Sequence, residues 1–362
     1  MSTVRVFFAT NRNHLEGNKL QVFGKAFNPD GAAALRFGHA DFETGSGKPR
    51  LDSILTYPDN KEEKDPKKLG GWLFMEALRA AMAGEKSDTL VFIHGFNVSF
   101  TGALEAGAML AQTQRVQDTD DTEPRPVNVV VFSWPSDGSA IPWMSYYSDR
   151  EDARVSGPAV ARAFLKLKDF IEDLSDDAYC QRRLHLLAHS MGNYVLRQGL
   201  QALIAKDRDS LVRLFDQIML AAPDEDDDTF EHDTKLRLLP RIGRQVTVYY
   251  NPTDKALLIS DKTKANPDRL GSDGPRLVDL LPKKVVLVDC RVAAPAADRW
   301  AHHGYYIRSQ AMARDMSMVM SDAQPDDIPN RRFIDRIRSW RLVEDTGETG
   351  LEPPPPVKPD PA

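Results

Sequence analysis

The sequence predicts an α/β fold: a mostly parallel central sheet with helices on both faces. Three observations carry that prediction. Short apolar runs recur at residues 4–9, 88–93, 127–132, 183–188, 215–221, 245–250 and 284–290. Strands covered on both faces read as such near-continuous apolar runs. Segments with helical spacing separate most of them, which is the alternation of a parallel sheet. Several runs also stop in glycine, serine, aspartate or histidine, at the strand ends where such sheets carry their functional residues.

The bounds agree with one globular unit. The chain has 362 residues, 41% hydrophobic and 28% charged, an ordinary globular composition. We expect a single domain over residues 1–343, with an irregular region at 11–70 decorating the core. A Pro-rich, acidic tail at 344–362 cannot bury a core and is expected to be disordered. Net charge is −6, and no Lys/Arg-rich run offsets it, which argues against a nucleic-acid surface. Cys180 and Cys290 lack a Cys-x-x-Cys partner and form no disulfide framework. No apolar run approaches the ~18 residues of a membrane span. The chain opens directly on a strand-like segment with no signal peptide ahead of it, so the expected location is cytoplasmic.

In order, residues 4–9 form a strand and 13–50 read as irregular or short-stranded. Residues 60–68 are a charged loop. Trp72, Leu73, Met75, Leu78 and Met82 mark an amphipathic helix over 72–82. The strand at 88–93 ends in His94-Gly95-Phe96-Asn97, and an Ala/Gly-rich helix follows at 101–115. After the strand at 127–132, residues 146–172 read as a long helix interrupted near Gly157-Pro158. The strand at 183–188 leads into a helix at 191–205. Beyond the strand at 215–221, residues 228–238 suggest a short helix. The strand at 245–250 is followed by a loop at 259–282 and the last expected strand, 284–290. Helices are expected at 302–320 and, finally, at 331–342. The connection between residues 221 and 245 is too short for a large lid, so the cap is small or absent.

Four strand ends carry chemistry. Ala188-His189-Ser190-Met191-Gly192 joins a strand to a helix through a turn too tight for large flanking side chains, with the helix N-terminus aimed at the serine. Asp254 follows the next strand but one, and His302 and His303 lie beyond the last. A serine hydroxyl is a weak nucleophile until an imidazole takes its proton, and a carboxylate fixes the imidazole's tautomer. The order Ser, Asp, His is that of α/β-hydrolases. The expected oxyanion donors are the N–H of Met191, next after the nucleophile, and that of Phe96 in the loop after 88–93.

The chain resembles the α/β-hydrolases, and is most similar to a bacterial group of them whose function is unknown. The resemblance spans roughly residues 4–320. It rests on Ala9-Thr10-Asn11-Arg12, Val91-Phe92-Ile93-His94-Gly95-Phe96-Asn97, Ser133-Trp134-Pro135-Ser136, Tyr147-Ser148-Asp149-Arg150, the serine motif, Ala222-Pro223-Asp224, Asn251-Pro252-Thr253-Asp254-Lys255-Ala256-Leu257 and His303-Gly304-Tyr305. It implies the α/β-hydrolase fold and a serine-hydrolase apparatus, but no substrate. The departure is Ala188 in the first glycine position, small enough for the turn.

Two assignments have rivals. Asp224 follows an earlier strand, where some α/β-hydrolases place their acid. The run Asp224–Asp228 lacks the pattern of a calcium loop and reads as a solvated helix start, so Asp254 is preferred on position. His303 is preferred to His302 on the resemblance. His94 and His189 read as loop supports rather than chemical groups. Phe96, Trp134, Trp143, Tyr146, Tyr147 and Phe230 are candidates for a pocket or for packing, and Cys290 for a small core residue. The expected activity is cleavage of an ester, thioester or related acyl compound, with a small-molecule acyl substrate, no cofactor and no metal. Acyl transfer on the same residues and a non-catalytic binding scaffold are the alternatives.

Overall fold

The computed structural model describes residues 2–17, 20–45, 47–58, 62–136, 142–174, 180–254, 256–257, 268–293 and 303–343, and only the backbone of 142–145. The tail from 344, His302, the side chain of Trp143 and residues 259–267 of the expected loop lie outside the described residues.

The strands are β1 Ser2–Thr10, β2 Arg12–His14, β3 Phe23–Phe27, β4 Arg36–Thr44, β5 Arg50–Thr56, β6 Thr89–Ile93, β7 Arg115–Val116, β8 Arg125–Pro126, β9 Asn128–Ser133, β10 Leu184–His189, β11 Phe215–Ala221, β12 Gly243–Tyr250, β13 Val285–Asp289, β14 Arg331–Ile334 and β15 Ser339–Leu342. The helices are α1 Gly70–Glu85, α2 Phe100–Thr113, α3 Pro142–Val155, α4 Gly157–Glu172, α5 Gly192–Lys206, α6 Leu270–Asp273, α7 Tyr305–Arg308 and α8 Gln310–Met320. The main sheet runs β14-β15-β13-β12-β11-β10-β6-β9-β1-β4-β5. From β15 to β1 every neighbouring pair is parallel, and β4, β5 and β14 add antiparallel edges.

Alternate residues of each central strand face opposite layers, the period-two rule of a pleated sheet. Phe7, Ala9, Val130, Phe132, Leu186 and Ala188 pack with α1, α4 and α5 through Phe74, Leu78, Phe164 and Leu200. Their neighbours Val6, Phe8, Val129, Val131 and Leu187 pack on the other face with Leu104 and Ala108 of α2 and Met312 and Met316 of α8. Both faces are thus covered, which is why these strands read as continuous apolar runs. β10 and β9 leave opposite sides of β6, so the loops after β6 and β10 diverge at a topological switch point, where open α/β sheets form their crevice.

Four expectations change. Residues 13–50 contain the nine-residue β4, which pairs with β1 along its whole length. Its inward Phe37, Ala40 and Phe42 are interleaved with polar residues, a weaker signal than the buried runs. Residues 228–238 form turns rather than a helix. Lys235 bonds Asp226 and Asp228, and Arg276 bonds Glu231, so ion pairs fix that loop. β13 is not the last strand. Residues 331–342 form the hairpin β14–β15 rather than a helix. Arg338 turns it with φ 46°, and a fully buried Arg331–Asp315 pair at 2.6 Å anchors it to α8. The interruption expected near Gly157 is the break between α3 and α4. Among the described residues, no helix is long and apolar enough to cross a membrane.

Candidate active site

The turn after β10 is built as its sequence demands. Ser190 has φ 53°, a left-handed conformation that a non-glycine residue adopts only when its surroundings over-determine it. The surroundings do. The Ser190 N–H donates to the Ala221 carbonyl at 3.0 Å. Its own carbonyl accepts from the backbone N–H groups of Asn193 and Asp224 at 3.0 and 3.2 Å. The Asn193 side-chain amide donates to Ala188 O at 3.1 Å and Ser190 O at 3.0 Å, tying strand, turn and helix together. A Cβ on Gly192 would lie 2.4 Å from the Ile93 carbonyl oxygen, so only glycine lets α5 start this close to β6.

Asp254, the acid expected from the sequence, stands on the turn after β12. Asn251 Oδ1 accepts from the Thr253 N–H at 2.9 Å, and the Asp254 N–H donates to Asn251 O at 3.0 Å. Asp254 is fully buried, and its two oxygens have separate tasks. Oδ1 accepts the Ala256 N–H at 3.0 Å, and Oδ2 accepts from His303 Nδ1 at 2.7 Å. That bond places the proton of neutral His303 on Nδ1 and leaves Nε2 as the basic atom.

His189 joins this histidine to the turn that carries Ser190. Its Nε2–H donates to the His303 carbonyl at 2.9 Å. Its ring lies 4.8 Å from that of His303 and stacks on Tyr306 at 4.1 Å. Burial, with His303 beside it, pushes the His189 pKa well below its ordinary value. His189 therefore stays neutral and adds no like charge next to a protonated His303.

The loop after β6 crosses directly beside Ser190: a Cβ on Gly95 would be 3.1 Å from Ser190 Cβ. His94 lies beneath that loop. Its Nδ1–H donates to the Gly95 carbonyl at 2.8 Å, and its ring stacks on Trp134, whose indole N–H donates to His94 O at 2.9 Å. Burial, aided by the Arg12 charge, pushes His94 down to about 3. His94 and His189 are loop supports. Among the described residues, neither the Phe96 N–H nor the Met191 N–H meets a protein acceptor. Met191 follows Ser190 in the chain, and Phe96 follows Gly95, which crosses beside Ser190.

Asp224 goes elsewhere. Its Oδ2 accepts the Tyr146 hydroxyl at 2.7 Å, and Arg150 and Arg269 lie 4.0 and 3.6 Å from the carboxylate. Glu225 is buried against Arg197 at 3.1 Å, and Asp226 pairs with Arg269 at 2.8 Å. The acidic run is a buried ion-pair network, not a solvated helix start, because arginines from α3, α5 and the segment before α6 converge on it. Of the aromatic candidates, Trp134 and Phe230 are core residues and Tyr147 is exposed. Phe96 packs edge-on against Tyr146 at 5.8 Å. Cys290 is buried in the core.

Sequence reasoning missed Asn193, Tyr306 and the role of Tyr146. The available signal for Asn193 was an amide-bearing residue in the first turn of the helix after the serine, where side chains bond backbone groups.

The family described as alpha/beta hydrolase of unknown function (DUF900) matches residues 69–320. The chain belongs to this family. The α/β-hydrolase match takes in Ser190, Asp254, His303 and the loop after β6. An uncharacterized protein, alr1448, of Nostoc sp. (strain PCC 7120 / SAG 25.82 / UTEX 2576) is 28% identical over 131 residues, 32% of this chain and 31% of the relative. The match thus spans about a third of that relative's length. Among solved structures, Aspergillus fumigatus lipase B is similar with a TM-score of 0.38 at 10% identity, over 73% of this chain and 59% of the lipase. ESTFA in its iron-lacking apo form is similar with a TM-score of 0.35 at 10% identity, over 87% and 86% of the two chains. Family membership stands on the match over residues 69–320 and not on these distant likenesses.

Proposed function

We propose that the protein is a serine hydrolase that cleaves a carboxylic ester, thioester or related acyl bond through an acyl-enzyme on Ser190. The observation that carries this reading is the 2.7 Å bond from His303 Nδ1 to buried Asp254, on a histidine whose carbonyl is bonded by His189, the residue before a serine held in the left-handed region.

In this reading, Ser190 Oγ attacks the acyl carbon as its proton passes to His303 Nε2. Asp254 holds Nδ1–H and stabilises the imidazolium. The carbonyl oxygen, now an oxyanion, lies between the Phe96 and Met191 N–H groups, each worth about 3 kcal/mol to the transition state. The tetrahedral adduct collapses. The leaving alcohol or thiol takes the proton from His303, and the acyl group stays on Ser190. Water then attacks the acyl carbon, giving its proton to His303, and the carboxylic acid leaves as Ser190 recovers the proton.

A fluorophosphonate probe tests this directly. Wild-type protein is expected to be labelled at Ser190, and Ser190→Ala and His303→Ala to lose labelling. A wild type that stays unlabelled while a control esterase reacts would contradict the reading. Rates on acyl esters of graded chain length would then define the substrate.

A further inference from the structure

Asp149 lies on α3, outside the proposed set of Ser190, Asp254 and His303, and is fully buried. Its Oδ2 accepts the backbone N–H of Asn97 at 2.8 Å and the Ser136 hydroxyl at 2.5 Å. Ser136 Oγ in turn accepts the Val98 N–H at 3.1 Å. Arg12, also buried, donates Nη2 to the Val98 carbonyl at 2.8 Å and Nη1 to the Ser136 carbonyl at 3.3 Å. Its Nε donates to Ser133 Oγ at 3.0 Å. Three side chains from three parts of the fold therefore grip consecutive backbone groups immediately after Phe96.

The grip falls where the chain is strained. Asn97 has φ 57°, a conformation that needs support from its surroundings. Upstream, Gly95 lacks the side chain that would restrict the backbone, and a Cβ there would press on Ser190 and His189. From that side the His94 Nδ1–H holds the Gly95 carbonyl at 2.8 Å, the carbonyl of the same peptide that carries the Phe96 N–H. An oxyanion donor acts only if it is already aimed at the place where charge develops. The aim of the Phe96 N–H then depends on two supports, His94 on its own peptide and Asp149 on the next.

We propose that Asp149 is a positioning residue of the oxyanion loop: its carboxylate fixes the Phe96–Asn97 peptide, so that this anchor and His94 on the Gly95 carbonyl together aim the Phe96 N–H at the acyl oxygen on Ser190. Arg12 and Ser136 complete the anchor. The segments that hold these residues, Ala9–Arg12, Ser133–Ser136 and Tyr147–Arg150, are separate in sequence and meet here. The inference rests on the serine-hydrolase reading, because it assigns the loop's purpose within that reaction.

The test is the kinetics of fluorophosphonate labelling in the full chain. Loss of a donor costs 10²–10³ in rate, so misaiming one is expected to cost about 10-fold in Asp149→Asn and about 100-fold in Asp149→Ala. The concentration for half-maximal labelling should change by less than about 2-fold, because the loop is expected to act on the transition state rather than on binding. The pH midpoint of labelling should match wild type, since the His303–Asp254 pair is untouched. Ser136→Ala should slow labelling alone but add little to Asp149→Asn, because both act through one anchor. Labelling of Asp149→Asn at the wild-type rate would overturn the proposal and leave the hydrolase reading standing. So would slowing of both Asp149→Asn and Ser136→Ala only in proportion to the unfolded fraction seen by circular dichroism. An unlabelled wild type would overturn both.

Discussion

The turns after β11 and β12 end neighbouring parallel strands, and both are acidic, yet their carboxylates have opposite fates. Asp254 receives two backbone N–H groups and one histidine, and no arginine bonds it among the described residues. Asp224 receives a tyrosine hydroxyl and faces two arginines, one of them buried. Both aspartates are buried. What separates them is the partner that the fold delivers. A carboxylate spent on arginines stabilises a loop, whereas one reserved for an imidazole can support proton transfer. Position after a strand made both eligible; only the opposing side chains decide.

The largest expected effect tests that division. Asp254→Asn should lower kcat on an ester substrate by about 10⁴-fold, through the wrong tautomer of His303, with little change in stability. Asp224→Asn should change kcat by less than about 10-fold, since it touches no proton-transfer partner. Asp224→Ala should instead cost about 3 kcal/mol of stability in urea unfolding, because it strips buried Arg269 of a counter-charge. A reversed pattern, with activity lost at Asp224 and stability at Asp254, would break the comparison.

A smaller effect separates the histidines in the same way. His303 has a carboxylate partner; His94 and His189 bond only carbonyls and a hydroxyl among the described residues. Burial holds both neutral, His94 down to about 3 and His189 well below its ordinary value. In the unfolded chain they take up protons near pH 6.5. Below that pH the unfolded state binds more protons than the folded one, so stability falls as the pH falls. Each histidine contributes up to about 1.4 kcal/mol per pH unit until its folded form titrates. Urea unfolding at pH 7, 6 and 5 should show this decline, and His94→Asn should flatten it by up to one proton's slope. An unchanged slope would place His94 in a less buried state.

Much of this was legible in the sequence because it is local. The buried strands are continuous apolar runs, and Ala188-His189-Ser190-Met191-Gly192 names its own turn. The same locality explains the misses. Residues 331–342 have apolar spacing that suits a helix, but Arg331 finds its partner Asp315 on α8 and Arg338 turns the chain back. The acidic run looked solvated because the arginines that neutralise it, Arg150, Arg197 and Arg269, are remote in sequence. Arg12 and Asp149 were noticed only as parts of a resemblance, since their meeting at the loop after β6 exists only in three dimensions.

The claim that Asp254, and not Asp224, orients the histidine beside Ser190 can be read without any substrate. In protein with ¹⁵N-labelled histidine, a strongly hydrogen-bonded imidazole N–H gives a separate downfield proton signal. Such a signal is expected from His303 Nδ1–H, absent in His303→Ala and Asp254→Asn and retained in Asp224→Asn. A signal that survives Asp254→Asn and disappears in Asp224→Asn would contradict it.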